Sequence, residues 1–119
     1  MQSDAAGVDA HLPLHPFTFH ILLSLAAEER HGYGIIQDVA RRTDGDVRLS
    51  AGALYRTIAR LLEQGLIAEA SRRRAAATDP RRRYYRLTPL GRAVTQAETN
   101  RLAGLVRLAR GSGLVPELS

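Results

Sequence analysis

A chain of 119 residues, 45% of them hydrophobic, suits one small domain with a compact core. Its 17 basic side chains are all arginine, set against 12 acidic ones for a formal charge of +5, and it has no cysteine, which excludes disulfides, zinc ribbons and thiol catalysis together. The longest apolar runs, "ILL" and "LAA", fall far short of the ~20 residues that a membrane-spanning helix requires. No hydrophobic signal segment follows the N-terminus either, so a soluble cytoplasmic protein without membrane contact is expected.

Residues 1–12 have no sustained period and read as a flexible leader. Pro13 and Pro16 suit a helix start, after which Phe17, Ile21 and Leu25 recur four residues apart beside Leu22, giving a well-buried first helix. Gly32 in "HGYGI" breaks it. A short amphipathic helix follows, with Ile36, Val39 and Ala40 on its apolar face and Gln37, Asp38, Arg41 and Arg42 elsewhere. Asp44-Gly45 signals a turn, and Ser50 is a good N-cap for a third helix beginning near Ala51. That helix sets Leu54, Ile58, Leu61 and Leu62 on one face and Ala53, Arg56, Thr57 and Arg60 on the other, with Gly65 closing it.

"LIAEA" (66–70) and "YYRL" (84–87) then read as two strands of a hairpin joined by a loop of 13 residues. Strand alternation predicts that one of the paired tyrosines faces inward, and Tyr85, in phase with Leu87, is the expected core residue. Segment 71–83 carries Arg72, Arg73, Arg74, Arg81, Arg82 and Arg83 against a single aspartate, so it holds the whole excess of +5. Thr88 and Pro89 cap a last helix running to Gly111, roughly 34 Å long at ~1.5 Å per residue. Leu90, Val94 and Ala97, then Leu102, Leu105, Val106 and Ala109, form two apolar runs on it. So small a body cannot cover them all, and a second copy of the chain is the expected cover.

Three helices followed by a two-stranded wing is the order of a winged helix-turn-helix, in which one helix enters the major groove and the wing tip reaches the adjacent backbone. On this reading the fold is mainly α with a β-wing. Residues 13–87 form the DNA-binding domain, 88–111 a C-terminal dimerisation helix and 112–119 a tail. Small residues at the start of the third helix permit close approach to double-stranded DNA, so Ser50, Ala51, Gly52, Ala53, Tyr55, Arg56 and Arg60 are candidate DNA contacts. Guanidinium forks bind phosphate oxygens bidentately, which adds the six arginines of segment 71–83. The plainer alternatives are boundary packing for Tyr55 and a solvated face or loop for the arginines.

The motifs "HILLSLAAEERHGYGIIQDV", "LSAGALYRTIARLLEQGLI" and "RRRYYRLTPLGRAV" resemble, in order and spacing, the PadR family of bacterial transcriptional regulators over about residues 16–110. The resemblance implies a homodimer whose terminal helix packs on the partner's body, with Phe17 joining that contact. It also implies a repressor of a roughly palindromic operator, released by a small apolar or phenolic ligand. Ala51 stands where the family often has proline and Ala53 where threonine is common, while arginine blocks replace the family's lysine and glycine in the wing. The short end, "GSGLVPELS", matches the compact branch with a single terminal helix.

His11, His15, His20 and His31 have no metal-ligand spacing, and His31 is expected to be structural, closing the turn between helices. No cofactor is implied. The chain has no G-x-S-x-G elbow, P-loop or GxGxxG, so an enzyme is not expected. The competing functional reading is a non-specific or architectural nucleic-acid-binding protein, which need not bind as a symmetric dimer.

Overall fold

The computed structural model describes residues 7–70 and 82–114. Helix α1 (Pro16–Ala27) starts where His15 Nδ1 accepts the Phe17 N–H at 3.0 Å and Pro16 occupies the first helical turn. Its Ile21, Leu22 and Leu25 are fully or almost fully buried and form the centre of the core. Strand β1 (Arg30–His31) leads directly into α2 (Gly32–Arg42), whose N-cap is His31: its Nδ1 accepts the Gly34 N–H at 3.0 Å. His31 thus has the structural role expected of it.

Helix α3 (Ala51–Glu63) begins at Ser50, whose Oγ accepts the Ala53 N–H at 3.1 Å. It buries Leu54, Ile58 and Leu61, but Leu62 is 37% exposed and does not belong to the apolar face assigned to it. With ~3.6 residues per turn, Leu62 falls beside Tyr55 on the helix flank, not beneath it. In α2, Asp38 is likewise not on a solvent face. It is buried at 1% exposure, because Arg30, Arg41 and Arg42 converge on its carboxylate, with Arg42 Nε donating at 2.8 Å. A buried carboxylate so paired is the usual solution to its desolvation cost.

Strands β2 (Ile67–Glu69) and β3 (Tyr84–Leu87) pair antiparallel with Ile67 opposite Leu87 and Glu69 opposite Tyr85. The wing is not two-stranded alone. Strand β1 joins the other edge of β3, with Arg30 opposite Tyr85 and His31 opposite Tyr84, giving the order β1-β3-β2. That third strand corrects the expectation for the tyrosines. Tyr85 is in the core as expected, yet Tyr84 is also buried, because the His31 ring covers it in a T-shaped contact at 5.2 Å.

Helix α4 (Pro89–Gly111) is docked at its start through Thr88. The threonine hydroxyl donates to the Gly65 carbonyl at 2.6 Å and accepts the Gly91 N–H at 3.0 Å, tying the end of α3 to the start of α4. Gly91 lies so close to Leu66 that a Cβ there would stand 1.9 Å from the Leu66 carbonyl oxygen. Further along, Glu98 is buried at 2% exposure. The hydrogen bonds from Arg101, chiefly, together with its charge and a backbone N–H from Leu14, hold the Glu98 carboxyl below its ordinary range against the opposing effect of burial. This fastens the N-terminal segment to the last helix. The flexible leader expected over 1–12 is therefore corrected in its described half: Val8 and Leu12, with Leu14, pack against the core.

The dimer residues expected on α4 divide. Val94 is completely buried in its own chain and is not free to face a partner, whereas Leu90 packs against the same core but is only half-buried. The docking of Gly91 on Leu66 turns this part of the helix inward. Ala97, Leu102, Val106 and Ala109 are half-buried, while Phe17 and Leu105 are exposed at 41% and 49%. Leu108, which the apolar pattern did not single out, is the most exposed leucine of the helix at 70%.

Candidate nucleic-acid interface

Helix α3 packs its inner face on α2 and β2, which leaves Ala51, Gly52, Tyr55, Arg56 and Arg60 exposed and Ala53 half-buried. Gly52, Arg56 and Ala59 lie opposite the buried stripe and form the middle of the outward face. The Arg56 guanidinium folds back toward Gly52, so the charge hangs over the first turn of the helix, where the small residues leave room for a base edge. Ser50 Oγ accepts the Ala53 amide as a cap, and its hydroxyl can still donate one hydrogen bond.

The two flanks of α3 differ. On one, Arg60 lines two adjoining grooves against the start of α1, about 220 and 320 Å³ in volume, with His15 and Thr18 as shared walls. On the other, the Tyr55 hydroxyl rests on Gly32: a Cβ at that glycine would be 2.1 Å from the phenol oxygen, so only glycine lets α2 start there with Tyr55 in place. Tyr55 is 50% exposed, and it borders a cavity of about 290 Å³ shared with His31, Tyr33, Arg82 and Tyr85.

Of the wing arginines, Arg82 and Arg83 stand at the root of the hairpin, and Arg72, Arg73, Arg74 and Arg81 lie outside the described residues. Arg83 Nη1 donates to Glu69 Oε2 at 2.9 Å across the strand pair, an exposed bridge worth little to stability and easily exchanged for another anion. Arg82 Nη1 lies 2.7 Å from His31 Nε2. Burial, chiefly, and the neighbouring Arg82 charge push the His31 imidazole below its usual value, keeping it neutral. His31, Tyr33 and Tyr85 were not among the candidate DNA residues. The "HGY" triplet and "YY" were visible, but only the third strand brings them beside α3.

A three-helix body with a small antiparallel sheet and an arginine-bearing outer helix defines a winged-helix DNA-binding protein. The sequence profile of the transcriptional regulator PadR-like family matches residues 21–97, and the chain belongs to that family. It is 38% identical over 93 residues to the transcriptional regulator Rv3488 of Mycobacterium tuberculosis, covering 77% of this chain and 80% of the relative. The fold is similar to that of a PadR family transcription regulator from Clostridium difficile, with a TM-score of 0.68 and 20% identity over 82% of this chain and 97% of the other. A PadR-like regulator from Bacillus cereus gives a TM-score of 0.66 and 24% identity over 85% and 93% of the two chains. The chain is accordingly a DNA-binding transcriptional regulator and not an enzyme. Among the described residues no helix is long and apolar enough to cross a membrane.

Proposed function

We propose that the chain is a cytoplasmic repressor that binds a palindromic operator as a homodimer and is released by a small apolar or phenolic ligand. The observation that carries the reading is the pairing of an arginine-bearing outer face on α3 with exposed leucines on the far half of α4, Leu105 and Leu108. The first surface suits a polyanion, and the second suits a copy of the same helix. A symmetric dimer presents two α3 helices to the same side of a duplex, and a two-fold protein reads a two-fold site. In this reading Ser50, Ala51, Gly52, Ala53, Tyr55, Arg56 and Arg60 face the groove, and the wing arginines neutralise phosphates. Phe17, Phe19 and Leu23 are the α1 side chains left outside the core to meet a ligand beneath the partner's α4, since Leu22 is fully buried.

Selection of the full chain against a randomised duplex pool tests this. An enriched inverted repeat with half-sites about 10 base pairs apart supports the dimeric regulator. A reporter promoter bearing that site should fall in output when the chain is expressed and recover with ligand. Uniform recovery of all sequences would favour the architectural alternative instead.

A further inference from the structure

An α-helix with its side chains is ~10–12 Å across and the major groove of DNA is ~12 Å wide, so a helix lying in that groove brings its flanks against the two phosphate backbones. The flanks of α3 are therefore where backbone contacts belong. On the flank beside the start of α1, His15, Thr18 and Arg60 line two adjoining clefts of about 220 and 320 Å³, the larger also bounded by Ala53 and Arg56. Among the described residues no carboxylate lines either cleft.

The side chains around these clefts have donors to offer. Arg30, Arg41 and Arg42 are engaged with Asp38, Arg83 with Glu69 and Arg101 with Glu98, but among the described residues the Arg60 guanidinium has neither an ion pair nor a hydrogen bond. Its charge is available. The tautomer of His15 is set by its capping role: Nδ1 accepts the Phe17 N–H at 3.0 Å, so the ring hydrogen sits on Nε2 as a second donor. The Thr18 hydroxyl is a third, since no described residue accepts from it, whereas the neighbouring Thr57 hydroxyl already donates to the Ala53 carbonyl at 3.0 Å. Three donors, one of them cationic, with no acid among them, suit an anionic oxygen.

We propose that these clefts seat a backbone phosphate of the duplex bound by α3, its oxygens accepting hydrogen bonds from Arg60, His15 Nε2–H and the Thr18 hydroxyl. The proposal rests on the DNA-binding reading and divides the two arginines of α3 by task. Arg56 folds over Gly52 in the middle of the outward face, toward base edges, while Arg60 at its border meets the wall of the major groove. His15 then caps α1 with one nitrogen and holds the phosphate with the other. A phosphate fixed between α1 and α3 carries no sequence information itself but sets how far along the duplex α3 sits.

The test measures affinity of the full chain for a short duplex of mixed sequence at several salt concentrations, with chemical denaturation of each variant alongside. Arg60→Gln alters an exposed side chain and should lower the slope of log affinity against log salt by about 0.9. His15→Asp keeps an acceptor for the Phe17 N–H but replaces the donor with a carboxylate, so it should bind about tenfold more weakly while unfolding like the wild type. His15→Asn retains both an acceptor and a donor and should bind within about twofold of the wild type. If His15→Asp proves unstable, Arg60→Gln and Thr18→Val, which keeps the shape of the side chain and loses its hydroxyl, carry the test. Unaltered salt slope and affinity in Arg60→Gln and in the His15 and Thr18 variants, with the wild type binding duplex normally, overturn the proposal and leave the DNA reading intact. Failure of the wild type to bind any duplex overturns both. Titration of inorganic phosphate against the His15 ring by NMR separates the remaining source: saturation there, with duplex binding unaffected by the variants, assigns the clefts to free phosphate and overturns the backbone assignment.

Discussion

Helices α3 and α4 are both amphipathic, but they leave different chemistry in the open. Helix α3 buries Leu54, Ile58 and Leu61 along its whole length and exposes Tyr55, Arg56 and Arg60. Helix α4 is divided along its axis: Gly91, Val94, Thr95 and Glu98 are buried in the first half, while Leu105 and Leu108 of the second half are exposed. A surface of guanidinium groups is content in water until a polyanion displaces its counterions, whereas exposed leucines lose free energy in water whatever else is present. On the proposed reading the first is a site for an occasional partner and the second for a standing one. The anchored half of α4 is what allows its free half to project as a rigid arm.

Gly91→Ala attacks the anchor and should have the largest effect. The added Cβ meets the Leu66 carbonyl backbone, so α4 has to shift, at a cost of about 3 kcal/mol in chemical denaturation. Unchanged stability would mean that the docking of α4 is not close-packed. Leu105→Glu leaves the anchor alone and alters the arm. It should weaken self-association by about 2 kcal/mol in sedimentation without changing monomer unfolding, and a stable dimer would move the contact elsewhere on the chain.

Glu98→Gln is the mildest change, because the side chain keeps its shape, losing its charge and one of the two acceptor oxygens that Arg101 bonds. Its folded-state titration lies below the ordinary carboxylate range, so the stability it supplies is complete above about pH 4.3 and is lost as pH falls through the folded value. The variant should be about 1 kcal/mol less stable than the wild type at pH 7, and the gap should close on acidification. A gap that persisted at low pH would show that the Leu14–Glu98–Arg101 link does not depend on charge.

Much of this comparison is legible in the sequence. Period and caps locate all the helices from α1 to α4, because Pro16, Ser50, Thr88 and Pro89 act on the few residues beside them. The family motifs supply the functional class. What local pattern does not reveal is set by contacts distant in sequence. Strand β1 is two residues long and exists only through β3, so neither the burial of Tyr84 nor the cavity beside Tyr55 has a local signature. Asp38 looks like an ordinary polar-face residue because Arg30, which encloses it together with Arg41 and Arg42, belongs to a different element. Val94 and Leu105 are equivalent in the apolar pattern of α4. Only the position of the body along the helix axis separates them.

The central claim is a division of labour: the outer face of α3 discriminates sequence, and the wing root neutralises phosphate. It is tested most directly by measuring affinity for an operator and for scrambled duplex at several salt concentrations, comparing the wild type with Arg56→Ala and with the double variant Arg82→Ala, Arg83→Ala. Removing the Arg56 guanidinium from a base edge should cost about 1–3 kcal/mol on the operator and almost nothing on the scrambled duplex. Each phosphate left without its arginine at the wing root should reduce the log–log salt slope by about 0.9 on both duplexes and leave operator preference intact. Equal losses on both duplexes for Arg56→Ala, or unaltered salt slopes for the double variant, would contradict the account.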